Sequence, residues 1–127
     1  MLAAAERDRV DEKCVYVGHG LDAETLLRVR ASMRDLAEVA STYYEPISEA
    51  YLVRKQVEHL PERPLYVLGV IVRRPKVDPE EGAIIDQQLA DKVVEAVDVP
   101  GDLRVLVLTG SKGAIVRAWQ GVPGSRL

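Results

Sequence analysis

The stretch LYVLGVIV, Leu65–Val72, decides how this chain folds, because it holds seven apolar residues, one glycine and no polar residue. A strand with one face in water alternates apolar and polar residues, whereas a strand buried on both faces does not alternate. We therefore expect a central strand. Its side chains alternate between the faces of the sheet, with Leu65, Val67, Gly69 and Ile71 on one and Tyr66, Leu68, Val70 and Val72 on the other.

The segments around this stretch predict the order strand, helix, strand, strand, helix, strand. The first helix is the best specified, because Asp22 suits the N-cap, Leu21 and Leu26 suit a hydrophobic staple, and Pro46 predicts an end around residues 41–44. Asp78 and Pro79 have the residue types expected at the start of the second helix, whereas Gly82 in the first turn favours a start nearer Ile84, so both starts stay open. The other predicted strands cover residues 14–18, 48–58 and 104–110. AIVRAW, residues 114–119, is compatible with a strand or a helical turn.

This order is that of the ferredoxin-like, split βαβ plan. The expected fold class is α+β, a two-layer sandwich of an antiparallel sheet with two helices on one face and a C-terminal extension. Residues 1–13 are predicted to be a disordered or weakly helical leader, and residues 14–127 to form a single domain.

Two helices on one side leave the other face of such a sheet without a cover. An apolar face of several hundred Å² is unusual on a monomer. We expect it to be covered by the C-terminal segment from Ser111 onward, by a second copy of the chain, or by a different partner, with the C-terminal segment preferred and dimerisation second. The candidate interface residues on the central strand are Tyr66, Leu68, Val70 and Val72.

Composition excludes several classes of partner. The 17 basic and 20 acidic residues give a formal net charge of -3, so the basic excess of a nucleic-acid-binding protein is missing. Cys14 is the single cysteine, which rules out an intrachain disulfide and favours the cytoplasm. The N-terminus carries no signal-peptide core, and no stretch reaches the ~18 apolar residues of a membrane span. We expect neither nucleic acid nor a membrane as a partner.

No residue set predicts catalysis, a metal site or a cofactor. His19 and His59 lack companion ligands at metal spacing and are interpreted as exposed loop residues. The most phosphate-like loop contains Gly110, Ser111, Lys112 and Gly113, because glycines let backbone N–H groups converge and the lysine adds a cation. The P-loop spacing is missing, however, and a tight turn after a strand explains the same residues.

Several short segments resemble a known family. VYVG before the first helix, ISEAYL in the second strand, LYVLGV in the third and the late RVLVLTG are similar to the C-terminal domain of the SseB (enhanced serine sensitivity) protein family. The resemblance runs from about Cys14 to the end of the chain. It implies a bacterial, cytoplasmic α/β domain associated with a serine-sensitivity trait, and it supplies no catalytic residues.

Three hypotheses of function follow. The first is a non-enzymatic protein-interaction module, self-associating as a homodimer through a sheet face or edge, because the apolar sheet surface exceeds what two helices cover. The second is a regulatory domain that binds an amino acid or a phosphorylated metabolite. The third and weakest is a hydrolase or transferase that uses Cys14 with His19.

Overall fold

The computed structural model of the chain describes residues 10–43, 47–56, 64–73, 78–109 and 113–127. In the first helix, side chains are described as far as Glu38. The described residues form four strands and three helices in this order: β1 Tyr16–Gly18, α1 Ala23–Tyr43, β2 Ile47–Lys55, β3 Leu65–Val72, α2 Pro79–Ala96, β4 Asp102–Leu108 and α3 Ala114–Gln120. The undecided segment AIVRAW is therefore helical, since it lies within α3.

The strands form one open, mixed sheet in the order β1-β2-β3-β4. β1 pairs with β2 and β2 pairs with β3 in the antiparallel sense, with Tyr51 opposite Gly69. β3 pairs with β4 in the parallel sense, with Gly69 opposite Leu106. The two strands at the centre of the sheet are therefore β2 and β3.

The α+β class and the sheet with two helices on one face agree with the sequence prediction, but the strand arrangement departs from the ferredoxin-like plan. In a split βαβ unit a third strand separates the two parallel strands. Here β3 and β4 are direct parallel neighbours, and β1 lies directly beside β2. The sheet is therefore not wholly antiparallel. Element order alone does not determine which strands become neighbours, because the same apolar strands can pair in more than one order.

Helix α1 begins and ends where its sequence predicts. The backbone N–H of Thr25 donates to Asp22 Oδ1 at 2.7 Å, so the N-cap is formed. The helix ends at Tyr43, ahead of Pro46. Val29 and Met33 on its apolar stripe are buried against the sheet. Within the described chain, neither this helix nor the other two combine the length and apolar character needed to cross a bilayer.

Every residue of β3 is buried, and the two long helices cover one of its faces. The buried residues of this first core are Val29, Met33, Ala50, Leu52, Tyr66, Leu68, Val70, Val72, Leu89, Val93 and Val97. The four residues predicted to form an interface, Tyr66, Leu68, Val70 and Val72, are therefore sealed beneath α1 and α2 and are at most 4% exposed. Their side chains are therefore not accessible to a partner, and the prediction that these four residues form an interface is wrong.

The C-terminal segment covers the opposite face of the sheet, as the sequence analysis preferred. Val116 and Trp119 of α3 pack with Val53, Val67 and other residues in a second core. The Trp119 ring is fully buried, and its N–H has no hydrogen-bond partner among the described residues. An unpaired buried donor of this kind costs about 1–3 kcal/mol, which burial of a large ring offsets at about 25 cal/mol per Å².

Candidate functional site

A cleft of about 320 Å³ opens between α1, the beginning of β2 and the last residues of the chain. Its wall carries three arginines, Arg30, Arg34 and Arg126. The remaining lining residues are Met33, Ile47, Ser48, Glu49, Ala50 and Leu127. The lining of the cleft thus combines apolar and cationic residues, and the volume of the cleft lies at the lower end of the ~300–1,000 Å³ typical of small-molecule sites.

Helix α1 places two of the arginines side by side. Arg30 and Arg34 are four residues apart, so their side chains leave the helix on the same face with Cβ atoms ~5–6 Å apart. Like charges at this spacing destabilise a helix slightly. In the part of the chain that the structure describes, no hydrogen bond or ion pair engages either guanidinium. By contrast, Arg28 on the same helix pairs with Glu24 at 3.2 Å.

The C-terminal segment supplies the third arginine by pairing with the edge of β2. The Leu52 N–H donates to the Ser125 carbonyl at 2.7 Å, and the Leu127 N–H donates to the Ala50 carbonyl at 2.9 Å. These bonds place Arg126 opposite Tyr51 as an antiparallel bridge. The segment therefore continues the sheet edge that β1 begins and places Arg126 at the border of the cleft, with its side chain on the same face of the sheet as that of Tyr51.

The ionisable side chains among the lining residues are unequal in sign, because three belong to arginines and one belongs to a glutamate. That carboxylate, Glu49, accepts a hydrogen bond from the Tyr51 hydroxyl at 3.0 Å, and the same hydroxyl accepts one from Gln120 Nε2 at 3.1 Å. The Ser48 hydroxyl donates to the Ile71 carbonyl at 3.1 Å. Guanidinium forks match the geometry of carboxylate and phosphate groups, so the free cations of this cleft suit an anionic ligand.

A second, shallower cleft of about 400 Å³ lies on the other side of Arg126. It is bounded by Tyr51, Gln120 and the turn at residues 122–125. Arg126 is its one ionisable side chain apart from the Tyr51 phenol, so the concentration of cations is confined to the first cleft.

The predicted anion-binding loop falls mainly outside the described residues, since Gly110, Ser111 and Lys112 are not among them. Gly113 is described, and it is the N-cap residue of α3. His59 also lies outside the described residues. The prediction for this loop therefore stays a prediction.

Cys14 and His19 do not form a catalytic pair in the described contacts. The Cys14 thiol donates to Asp11 Oδ1 at 3.3 Å, and His19 Nδ1 accepts the Leu21 N–H at 3.1 Å. Nor do the described residues contain a group of three histidine, cysteine or acidic side chains arranged to hold a metal ion. The arginine-lined cleft is accordingly the candidate site that these residues offer.

Comparisons with known proteins found no match, whether with family models, with curated proteins or with solved structures. The resemblance to the SseB family therefore stays a prediction from short hydrophobic segments. The case for the cleft depends on its geometry and charge.

The arginines of the cleft are candidate site residues that the sequence alone does not single out. Helical periodicity predicts Arg30 and Arg34 on the solvent side of the first helix, and Arg126 lies in the C-terminal tail. A signal does exist for Arg30, because no acidic residue occurs three or four positions away on either side. No sequence signal links that helix to residue 126.

Proposed function

We propose that this chain is a binding domain for a small anionic metabolite, held in the cleft between α1, β2 and the C-terminal segment. The observation that carries the proposal is that Arg30, Arg34 and Arg126 are among the residues lining one cleft, where Glu49 is the one acidic side chain in the lining. Placing like charges together costs stability, and binding of an anion would recover that cost.

The chemistry of the walls defines the ligand class. Two neighbouring guanidinium groups suit a carboxylate or a phosphate, which accept bidentate hydrogen bonds. Met33, Ile47 and Ala50 offer apolar contact to a short carbon skeleton. Amino acids and phosphorylated metabolites meet both requirements, and the resemblance to a serine-sensitivity family puts serine first among the amino acids to test.

Isothermal titration calorimetry with serine, other amino acids, dicarboxylates, inorganic phosphate and sugar phosphates tests the proposal. At least one compound should bind, and Arg34→Ala and Arg126→Ala should each weaken its binding tenfold or more. Arg28→Ala is the matched control, because it removes a guanidinium from the same helix outside the cleft and should leave the affinity unchanged.

Two results would contradict the proposal. One is that no compound of the panel binds at millimolar concentration. The other is that binding occurs but responds equally to Arg28→Ala and Arg34→Ala, which would indicate a diffuse surface effect rather than a site.

A second candidate function is a non-enzymatic protein-interaction module. The apolar face of β3 does not support it, since the chain covers both faces itself. The open edge of the sheet at β4 does favour it, as the next subsection develops.

A further inference from the structure

Strand β4 ends the sheet with one edge unpaired within the described residues, because its hydrogen-bonded neighbour is β3 alone. The Asp102 N–H donates to the Pro64 carbonyl, toward β3, at 3.3 Å. Backbone groups of a strand point alternately to its two edges. Leu103, Val105 and Val107 therefore direct their N–H and carbonyl groups away from β3, toward the open edge.

The side chains of this edge strand are unusually apolar for such a position. Leu103, Val105 and Val107 lie against the core beneath the helices and remain only partly buried. Leu106 and Leu108 do the same on the other face. Natural edge strands are commonly protected by lysine, proline or a bulge. The last four residues of β4, from Val105 to Leu108, have none of these.

We propose that β4 pairs antiparallel with β4 of a second copy of this chain, across a two-fold axis that passes beside Val105 and stands perpendicular to the sheet. Val105 then lies opposite its own counterpart, and Leu103 lies opposite Val107. Each of these outward-directed residues exchanges hydrogen bonds with its partner. The two open sheets join into one continuous sheet, with the helical layers of both copies on the same side.

The sequence of β4 explains why the occupant is a second copy. A two-fold interface must be self-complementary, and in this register the helix-side pairs are aliphatic throughout. On the other face Arg104 lies opposite Leu106 and Asp102 lies opposite Leu108, so no like charges are directly opposite, and the two copies of Arg104 are diagonal neighbours about 7–8 Å apart across the axis. The inference is independent of the anion-binding proposal, because the arginine-lined cleft involves no residue of β4.

Solution mass is the first test. Sedimentation velocity of the full chain should show a concentration-dependent species at twice the 14.0 kDa of one chain. Val105→Pro should return it to one chain mass, because proline removes an outward N–H that β3 does not use. A full chain that stays at one chain mass up to millimolar concentration would overturn the inference.

Cross-linking tests the register without relying on the proline variant. In a Cys14→Ser background, Val105→Cys should form an intermolecular disulfide under mild oxidation, because Cα atoms of a hydrogen-bonded antiparallel pair lie about 5.5 Å apart. Leu103→Cys is the matched control, since its two copies would lie about 14 Å apart along the strands. Equal cross-linking of both variants, or a dimer that neither links, would overturn the proposed pairing.

Discussion

The indole ring of Trp119 packs directly against the backbone of Gly69, at the middle of the central strand. A Cβ atom built on Gly69 would overlap this ring and would lie 2.6 Å from its Cη2 atom. Trp119 is fully buried, so the ring has no room to withdraw. Because Gly69 has no side chain, the Trp119 ring can pack against the strand, and the C-terminal segment covers the second face of the sheet.

Gly69→Ala should destabilise the protein by about 1–3 kcal/mol or more, because overpacking a rigid core forces a shift of the ring or the strand. Chemical denaturation followed by tryptophan fluorescence measures the effect at the residue concerned. Gly121→Ala is the control, because its backbone is helical at φ -72 and its nearest contact would be an ordinary 3.6 Å. That variant should match the wild type or exceed it by about 0.4–1 kcal/mol. Equal stability of the two variants would contradict the packing described for Trp119.

Arg30→Glu should raise the stability of the free protein and abolish anion binding. The new carboxylate would stand four residues before Arg34, the favourable order for a helical ion pair, and should stabilise the free protein by about 0.2–0.5 kcal/mol. The same change places a negative charge in the cleft and should abolish binding of any anion found by calorimetry. If the variant binds anions as well as the wild type does, Arg30 plays no part in the site.

Tyr51→Phe should lower the free energy of unfolding by about 0.5–1.5 kcal/mol. The ring stays in the second core, while the hydroxyl that joins Glu49 to Gln120 is lost. A double-mutant cycle with Gln120→Ala, measured by urea denaturation, checks the assignment. The coupling should be measurable, since both changes break the same bond. Strictly additive effects would mean that this bond contributes nothing to stability.

Tyr16 should make the protein sensitive to alkali. Burial, followed by the neighbouring Cys14 thiol, raises the pKa of this phenol well above its ordinary value of 10.0. Its hydroxyl donates to the Asp11 carbonyl at 2.7 Å, which favours the protonated form. The folded state therefore holds this proton more tightly than the unfolded state. The resulting stability is fully present below about pH 10 and is lost as the pH rises beyond that value.

Urea denaturation at a series of pH values from about 9 to 11 measures this loss. The decline should be shallower for Tyr16→Phe, which has no proton to release. Parallel declines in both proteins would show that the phenol is not held protonated by the fold.

Local features predicted local structure well. Asp22, the apolar spacing that includes Val29 and Met33, and Pro46 together located α1, because caps and helical periodicity depend on neighbouring residues. The unbroken apolar run of β3 likewise predicted a strand buried on both faces. It could not tell which face the helices would take, since Leu68 and Val67 are equally apolar.

The candidate site was beyond the reach of such reasoning. Arg30 and Arg126 line the same cleft only because the tail pairs with the edge of β2 after crossing the second face of the sheet. The path of the tail depends on how Trp119 packs on Gly69. Packing between segments that are far apart in the chain does not produce a repeating pattern of residue types, so the sequence does not predict it.

Sequence by itself determined the α+β class, the approximate positions of the main elements and the need for a second cover over the sheet. These follow from hydrophobic periodicity, capping residues and the shortage of polar positions in LYVLGVIV, all of which act within a few residues. Only the tertiary structure decided the order of the strands, which segment covers the second face of the sheet, and which three arginines line one cleft. Those outcomes depend on contacts between residues far apart in the chain, where shape complementarity selects one arrangement among several that hydrophobic burial alone would permit.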